Sequence, residues 1–429
     1  MRRRLKLALI ALPFVPLLLL AALRLGLLTP FVNLALSRGL GGSIPLQIRV
    51  GQFRSDILSF AEADNVVVLT PVKGSLMPLL TINSLRLEYQ GWEAWRGRLD
   101  WDEALRLARV RGLFLYLLRE DGGDWNLSGL GRPKGAPKLP AGHRALPLPA
   151  TRLELEDSQV VLSDEGRDFR TSISGLEGTL DTRALPLVVF SVNGRTDDKD
   201  KDNLSLAGEL DRRDGAFYAR LDLADVELAQ YINYFLPPGA LRFTGGRAAF
   251  SVRLRQPKGS DPMEASGRAE LSGGTLTIPA ISVPLQGLSG AVVFDQRSLR
   301  FRQAGAHFLG ADWRASGSIE DLRHPSFDLS LSGTGVPLAA LSDQVKGLGL
   351  LDLSGSAEVS GTLTGEARRP LVQARVGAKV MGMDGAELRD VSASARLQGG
   401  NLEVQDLSAS LWGGSLNGSA SMDLHKGGK

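Results

Sequence analysis

The residues best suited to bind a metal ion form an acidic run near the middle of the chain. Asp198, Asp200 and Asp202 alternate with lysines, and Glu209 follows at the twelfth position, which is the carboxylate spacing of an EF-hand calcium loop. The sixth position, where that loop needs glycine, is Asn203, and residues 204–208 (LSLAG) alternate like a strand. The pattern favours a solvated hairpin tip, and we predict no metal site.

The histidines offer no better site. There are four of them, and their positions show no metal-ligand spacing: His143, His307, His324 and His425. His143 lies in a proline-rich stretch and His324 precedes Pro325, so loop positions are expected.

Catalytic signatures are also missing. The chain has no cysteine, which excludes disulfides, zinc–thiolate sites and cysteine nucleophiles. It contains no Gly-x-Ser-x-Gly elbow, phosphate-binding loop or His-Glu-x-x-His motif. Pairs of acids such as Asp102/Glu103 and Glu154/Glu156 fit wet helix or strand faces, although a carboxylate pair formed in space is invisible in a sequence. We predict a protein that is not an enzyme and needs no cofactor.

Short strands dominate the predicted structure. The 429 residues include 50 glycines and 43% hydrophobic but only 6% aromatic residues, a composition typical of many turns between strands. Apolar and polar residues alternate with period two at Leu85–Tyr89, Phe217–Leu223, Phe250–Leu254 and Leu329–Leu331, among other places. Such alternation predicts an antiparallel sheet with one apolar and one wet face. Few helices are predicted: one over Ala104–Ala108 behind a capping box at Asp100, and two short ones over Leu228–Leu236 and Leu338–Val345.

An apolar segment near the N-terminus predicts a membrane anchor. Every residue from Leu7 to Leu23 is apolar or proline, and residues 25–28 extend the run. The basic residues before it should stay in the cytoplasm and place the rest of the chain in the periplasm: Arg2, Arg3, Arg4 and Lys6. A cleaved secretory signal is the alternative, and it exports the chain equally. Without these four basic groups the remaining 423 residues carry 46 basic and 47 acidic groups, so no nucleic-acid partner is expected.

An internal repeat divides the exported part. Residues 288–319 align without gaps with residues 391–422, at an offset of 103, and further matches recur at offsets of 109–112. Residues 132–150 hold five prolines and no acids, which predicts a linker. The predicted organisation is an anchor (1–28), an N-terminal β region (29–131), the linker (132–150), a first repeat region (151–286), a second repeat (287–389) and an incomplete third (390–429).

The chain resembles the AsmA-like/TamB-like family of bacterial envelope proteins. The resemblance rests on the anchor, Ile48–Gly51, Leu85–Tyr89, the Trp92–Trp101 stretch and Asp124–Leu127, and in the repeats on Leu411–Leu416 with its counterpart Phe308–Trp313. The family implies an inner-membrane anchor and a long, curved antiparallel β-sheet whose hydrophobic groove conducts phospholipid towards the outer membrane. It also implies a possible partner in outer-membrane protein assembly. The chain departs from large members in having fewer repeats and no characteristic C-terminal domain.

The alternating residues supply candidate groove positions. A sheet that curls lengthwise can line a channel with them, and an acyl chain gains about 0.8 kcal/mol for each methylene buried there. The candidates are Phe250, Val252, Leu254, Leu299, Phe301, Leu329, Leu331, Leu402 and Val404. If they line one channel, Val252→Asp should block lipid crosslinking further along it. A sandwich core formed by the same apolar face remains the structural alternative.

Three classes of function compete on the sequence. A non-enzymatic lipid-transfer protein or assembly scaffold is favoured over a membrane-tethered binding or adhesin-like protein without lipid cargo. An exported, repeat-built glycan hydrolase comes last. The tryptophans Trp92, Trp95 and Trp101 fit either a membrane interface or the packing of the first hairpins. The third repeat stops about a third of the way through its unit, which suggests a fragment or a partner that adds strands at that edge.

Overall fold

The alternating sequence folds into strands almost throughout the part that the structure describes. A computed structural model describes residues 20–40, 46–72, 75–99, 104–121, 123, 125–126, 150–196, 199–235, 241–259, 261–279, 283–321, 324–344 and 352–423. Over these residues the chain is mainly β, with twenty strands that belong to one sheet and a few short helices. This confirms the predicted class. The chain divides into unit 1 (residues 1–221 and 254–263) and unit 2 (residues 222–253 and 264–429), and each is described by itself.

Unit 1 contains eight complete strands. They are β1 (Gln47–Ser55), β2 (Phe60–Val72), β3 (Ser75–Tyr89), β4 (Leu105–Arg119), β5 (Arg152–Asp164), β6 (Phe169–Asp181), β7 (Leu187–Thr196) and β8 (Leu204–Asp211). Strands β1 to β4 pair in order and antiparallel, and so do β5 to β8.

One pair departs from the predicted antiparallel sheet. Strands β4 and β5 run parallel, with Leu107 opposite Arg152 and Arg119 opposite Asp164. A parallel pair needs a crossover of a dozen or more residues, and residues 120–151 supply one. Most of the proline-rich stretch predicted as a linker, residues 132–149, lies outside the described residues.

Unit 2 contains ten complete strands. They are β11 (Glu264–Thr277), β12 (Leu285–Phe294), β13 (Ser298–Phe308), β14 (Ala311–Glu320), β15 (Ser326–Pro337), β16 (Leu353–Glu366), β17 (Leu371–Met383), β18 (Ala386–Gln398), β19 (Asn401–Leu411) and β20 (Gly414–Asp423). Each pairs antiparallel with the strand that follows it. The chain crosses from one unit to the other within β9 (Phe217–Glu227) and β10 (Arg242–Gln256).

Four α-helices whose two ends are described accompany the strands, besides the helical residues 20–24 and a 3-10 turn at Glu165–Arg167: α1 (Thr29–Leu40), α2 (Gly91–Trp95), α3 (Leu228–Phe235) and α4 (Leu338–Gln344). The predictions of α3 and α4 are confirmed. The helix predicted over Ala104–Ala108 is wrong, because β4 begins at Leu105 and pairs there with Tyr89 of β3. Pairing with a long neighbouring strand overrides the weak helical signal of a few residues.

A helix covers part of the sheet in each unit. In unit 1, Leu36 of α1 packs on a core of Val50, Val66, Ile82 and Val110. In unit 2, Leu228 of α3 and Leu338 of α4 are each almost fully buried, Leu228 with Val226 and Ala248, and Leu338 with five small or aliphatic residues of β16 to β19.

Asparagine amides fix two of these helices to the strands that follow them. The Asn33 amide donates to the carbonyl oxygen of Val50 and accepts from its N–H, both at 2.8 Å. Asn233 does the same with Phe243, at 2.7 and 2.9 Å. Each side chain therefore pairs with the backbone as a neighbouring strand would.

The two sequence segments that align at an offset of 103 share their backbone geometry. Strands β13 and β14 match β19 and β20 in their bounds. Gln303 and Asp406 both have positive φ within their strands, at 54° and 52°. The two-residue turns Leu309-Gly310 and Trp412-Gly413 also have positive φ at both positions, which matches the twist of a hairpin. The division of the whole chain into repeats stays a prediction.

The predicted membrane anchor falls mainly outside the described residues. Residues 1–19, with Arg2, Arg3, Arg4 and Lys6, are not described, and residues 20–24 are helical. Within the described ranges, no helix has both the length and the hydrophobicity to cross a bilayer.

Candidate functional site

Two rows of small and apolar residues run across seven strands of unit 2. Both rows lie on one face of the sheet, because residues opposite each other in neighbouring strands point the same way. We call this surface the apolar face. Its first row is Phe301, Gly317, Leu329, Leu363, Val372, Leu397 and Leu402. Its second row is Ala304, Ala315, Leu331, Gly361, Ala374, Ala395 and Val404.

The nine predicted groove residues do not all lie on the apolar face. Phe301, Leu329 and Leu402 share the first row, and Leu331 and Val404 share the second. Leu299 lies on the same face of β13, two residues before Phe301, and pairs with Ile319. The structure thus places six of the nine candidates on the apolar face.

The three candidates in β10 have other surroundings. Phe250 packs against the cluster beneath α3. Val252 lies beside Gly267 of β11, whose added Cβ would meet the Val252 Cα at 3.2 Å and the Phe294 ring at 2.8 Å. Leu254 belongs to unit 1 and is half-buried.

The central rows are only partly buried. Every non-glycine side chain of both rows is half-buried, and the described helix that packs on this face, α4, covers its other end. There Leu338 joins Ala357, Ala378 and Leu388 in a closed core, with Val359 and Val376 at its border. The apolar face therefore passes from a covered core to partly exposed rows.

Two glycines interrupt the rows at points where neighbouring strands pack closely. A Cβ on Gly317 would come within 2.0 Å of the Asp328 carbonyl oxygen, and one on Gly361 within 2.3 Å of the Gln373 carbonyl oxygen. Gly317 lies between Phe301 and Leu329 in the first row. Neither position can therefore carry a side chain, because the backbone of the neighbouring strand lies too close, and both stay flat within the rows.

Sequence reasoning missed Leu363, Val372 and Leu397, which lie in the first row between Leu329 and Leu402. A signal was present, because Val372, Ala374 and Val376 alternate with Gln373 and Arg375.

The opposite, polar face of unit 2 carries two cavities that meet at Ser330 and Leu331. One has a volume of about 560 Å³ and is lined by Arg375, Arg396, Gln373, Gln405 and hydroxyl side chains. The other, of about 590 Å³, is lined by Arg314, Gln303 and four serines. Neither lining contains an acid.

A cavity on unit 1 has the opposite charge. It has a volume of about 450 Å³, and its lining contains Glu154, Glu156 and Glu177 with Thr179, Ser191 and Asn193. Arg109 bonds to both Glu154, at 3.0 Å, and Glu156, at 3.1 Å. The Glu154 hydrogen bond raises the pKa of Arg109, which keeps the guanidinium charged.

Exposed aromatic and basic side chains lie together on unit 1. The Trp92 and Trp95 rings of α2 stack at 5.3 Å, and Arg96 lies 4.4 Å from the Trp92 ring. Trp95 is 71% exposed and Trp92 is 42% exposed. The Gly91 N–H donates to the carbonyl oxygen of Leu58 at 2.8 Å, which holds α2 against the 56–60 loop. We call this surface the tryptophan patch. Trp101 lies outside the described residues.

The 56–60 loop is built around one buried carboxylate. Asp56 accepts hydrogen bonds from the N–H groups of Leu58, Ser59 and Phe60 and from the Ser59 hydroxyl. Burial alone would raise the pKa of Asp56, but these hydrogen bonds outweigh it and lower the pKa to about 2. The Arg24 guanidinium lies 3.7 Å from the same carboxylate.

The metal and histidine predictions can be compared with the described residues. These hold no cluster of three or more His, Asp or Glu side chains able to bind a metal ion. Asp198 itself is not described, and Glu209 lies in β8. His324 lies outside the strands, as predicted. The loop prediction for His307 is wrong, because His307 lies in β13, where the hairpin brings it 3.0 Å from Asp312.

In comparisons with protein-family models, with curated proteins and with solved structures, the chain matches none of them.

Proposed function

We propose that the apolar face of unit 2 binds the acyl chains of phospholipids, and that the protein carries lipid between the inner and outer membranes of a bacterial envelope or supports outer-membrane protein assembly. The observation that carries this proposal is a surface seven strands wide on which small and apolar residues form two partly exposed rows. A soluble protein normally covers such a surface, because exposed apolar area is unfavourable in water.

The dimensions of the rows suit an acyl chain. Seven strands about 4.8 Å apart extend roughly 30 Å, which is about the full thickness of a bilayer's hydrocarbon core. A row is therefore longer than one acyl chain, which spans about half of that core. Each methylene placed on the face gains about 0.8 kcal/mol, as it does in a bilayer. Gly317 and Gly361 add no side chain beside Leu329 and Leu331, so an acyl chain would lie on a flat surface there.

The tryptophan patch supports a location at the inner membrane. Tryptophan and arginine are the side chains that favour the headgroup region of a bilayer. The patch adjoins the 56–60 loop, which Arg24 reaches at the end of the apolar segment 7–23. We propose that this segment spans the membrane and that the patch rests on the periplasmic surface beside it.

Site-specific photo-crosslinking tests lipid binding. A benzophenone amino acid replaces Leu331 or Leu363 on the apolar face, or Ser330 or Ser360 on the polar face of the same strands, in the full chain expressed in a Gram-negative host. We expect phospholipid adducts by mass spectrometry at Leu331 and Leu363 only. Adducts at neither position would overturn the proposal and favour a tethered binding protein without lipid cargo, and equal adducts on both faces would show nonspecific contact.

A further inference from the structure

The polar face of unit 2 has a second feature that lipid binding does not use. Its two cavities share Ser330 and Leu331 as lining residues and have volumes of about 560 and 590 Å³. Together they extend from β12, which contributes Ser289, to β19, which contributes Gln405. We call them the polar trough.

Positive charge and hydroxyl groups line the trough. One cross-strand row supplies Arg314, Ser332, Ser360, Arg375, Ser394 and Gln405. The row beside it supplies Ser316, Ser330, Thr362, Gln373 and Arg396. The three arginines are more than a third exposed, so their guanidinium groups can reach a ligand in solution.

Acids border the trough but do not line it, among them Asp312, Asp328, Glu358 and Glu403, each two residues before a lining residue on the same face. Neither cavity lining contains Asp or Glu. Glu403 lies opposite Arg396 in the register, and the bond that Arg396 makes in the structure is to the Gln398 side chain, at 3.0 Å. A cavity of unit 1 has three glutamates in its lining, so the trough differs from it in charge.

The form of the trough favours an extended ligand. Its rows cross the strands, so successive strands present a serine, arginine or glutamine every ~4.8 Å. Serine, threonine and glutamine can each donate to and accept from sugar hydroxyls, and arginine binds carboxylates with two parallel hydrogen bonds. Neither lining has an aromatic side chain on which a nucleic-acid base could stack.

We propose that the polar trough binds a linear acidic polysaccharide, with Arg314, Arg375 and Arg396 pairing with its carboxylates and the serine hydroxyls with its sugar hydroxyls. The protein then holds lipid on one face of unit 2 and an anionic glycan on the other. The cavities also touch second-row residues such as Leu331, Ala374 and Ala395, but the two proposals rest on side chains of opposite faces, so either can fail alone.

Calorimetric titration of the full chain with polygalacturonate tests the proposal, with neutral dextran and single-stranded DNA of equal length as comparison ligands. We expect polygalacturonate to bind at low ionic strength, more weakly as salt rises, and at least tenfold more tightly than dextran or DNA. Absence of binding, equal binding of dextran, or preferred binding of DNA would each overturn the proposal.

Matched arginine variants locate the site. We expect the double variant Arg375→Gln/Arg396→Gln to lose at least tenfold in affinity and to show a weaker salt dependence. Arg389→Gln removes an exposed arginine of β18 that pairs with Glu387 outside the trough, and it should bind as the unchanged protein does. Because all three are exposed, circular dichroism should show intact strands. Equal affinity of the double variant and the unchanged protein would show that the glycan binds elsewhere.

Discussion

The indole ring of Trp313 lies over the backbone of Gly333 in the neighbouring strand. The two residues are paired in the β14–β15 register, and a Cβ built on Gly333 would come within 2.9 Å of three carbons of the indole. The ring also donates from its Nε1–H to the carbonyl oxygen of Phe308 at 3.1 Å, which fixes its position. The same arrangement recurs in unit 1, where the Phe190 ring lies over Gly208 and stacks on Phe217.

This contact predicts that Gly333 cannot carry a side chain. Gly333→Val should destabilise the protein by about 1–3 kcal/mol, because the indole would have to leave its place over the strand. The urea midpoint, followed by circular dichroism, measures the change. Gly377→Ala in β17 is the control, since a Cβ there meets nothing within 4 Å. An unchanged midpoint for Gly333→Val would contradict the packing described.

Substitutions at two adjacent residues of β15 test the two faces of unit 2 separately, because the side chains of adjacent residues point to opposite faces. Leu331→Asp places an unpaired carboxylate in the second apolar row, so it should abolish lipid adducts at a crosslinker on Leu363. Ser330→Asp changes the polar face at the neighbouring position and should leave those adducts intact. Mass spectrometry of both folded variants makes the comparison. The lipid proposal would be wrong if the two variants gave the same yield.

The Asn233 amide is expected to contribute to stability through both of its hydrogen bonds. Asn233→Ala leaves the N–H and the carbonyl oxygen of Phe243 without their partner, which should cost about 2–3 kcal/mol and accelerate hydrogen exchange at Phe243. Asn233→Asp keeps an acceptor for the N–H, but its charged carboxylate places a second oxygen against the Phe243 carbonyl oxygen, so its effect should be smaller than that of alanine only at a pH low enough to protonate the carboxyl, which can then donate. Exchange at Phe243 unaffected by either substitution would show that α3 does not hold this strand.

Acid should weaken unit 1 through Asp56. Its pKa is about 2 in the folded protein, below the ordinary value of 3.8, so the stabilisation is complete above about pH 5 and is lost as the pH falls from about 4 towards 2. The difference amounts to about 2 kcal/mol. Urea midpoints between pH 6 and pH 3 should therefore fall less in Asp56→Asn than in the unchanged protein. Parallel curves for the two proteins would disprove this role.

The tryptophan patch should bind membranes by its exposed rings. A Trp92→Ala/Trp95→Ala variant should bind vesicles containing anionic phospholipid several-fold more weakly, measured by flotation with residues 1–28 removed from both proteins so that the anchor does not mask the effect. Trp412→Ala removes a more exposed tryptophan, 87% accessible, from unit 2 and serves as the control. Equal flotation of all three would remove the support that the patch gives to the proposed location.

Period-two alternation was enough to predict the β class and the apolar positions of β13, β15 and β19. The reason is that successive side chains of a strand point to opposite faces, so a half-buried strand shows alternating apolar and polar residues in its sequence. The parallel β4–β5 pair could not be predicted, because it depends on a crossover of about thirty residues whose path leaves no periodic signal. The short helices α3 and α4 were predictable because each follows a buried valine, Val226 or Val336, that stands next to the end of a strand.

The site was less predictable than the fold. Alternation shows that Phe301, Leu329 and Leu402 face one way, but only the strand register shows that they share a row. The polar trough could not be recognised in the sequence, because serine and arginine are common on the solvent-exposed face of any strand. Its character arises from the alignment of six strands, which is a property of the folded sheet.

The pairing of each strand of unit 2 with its successor also sets an order for folding. From β11 to β20 the longest connection holds only α4 and the residues just after it, so the entropy lost in closing each loop is small. Each strand can therefore pair with its predecessor without waiting for distant parts of the chain. Unit 1 differs, because β5 pairs parallel with β4 only after the long crossover between them. Unit 2 is thus suited to assembly one strand at a time, in the direction of synthesis.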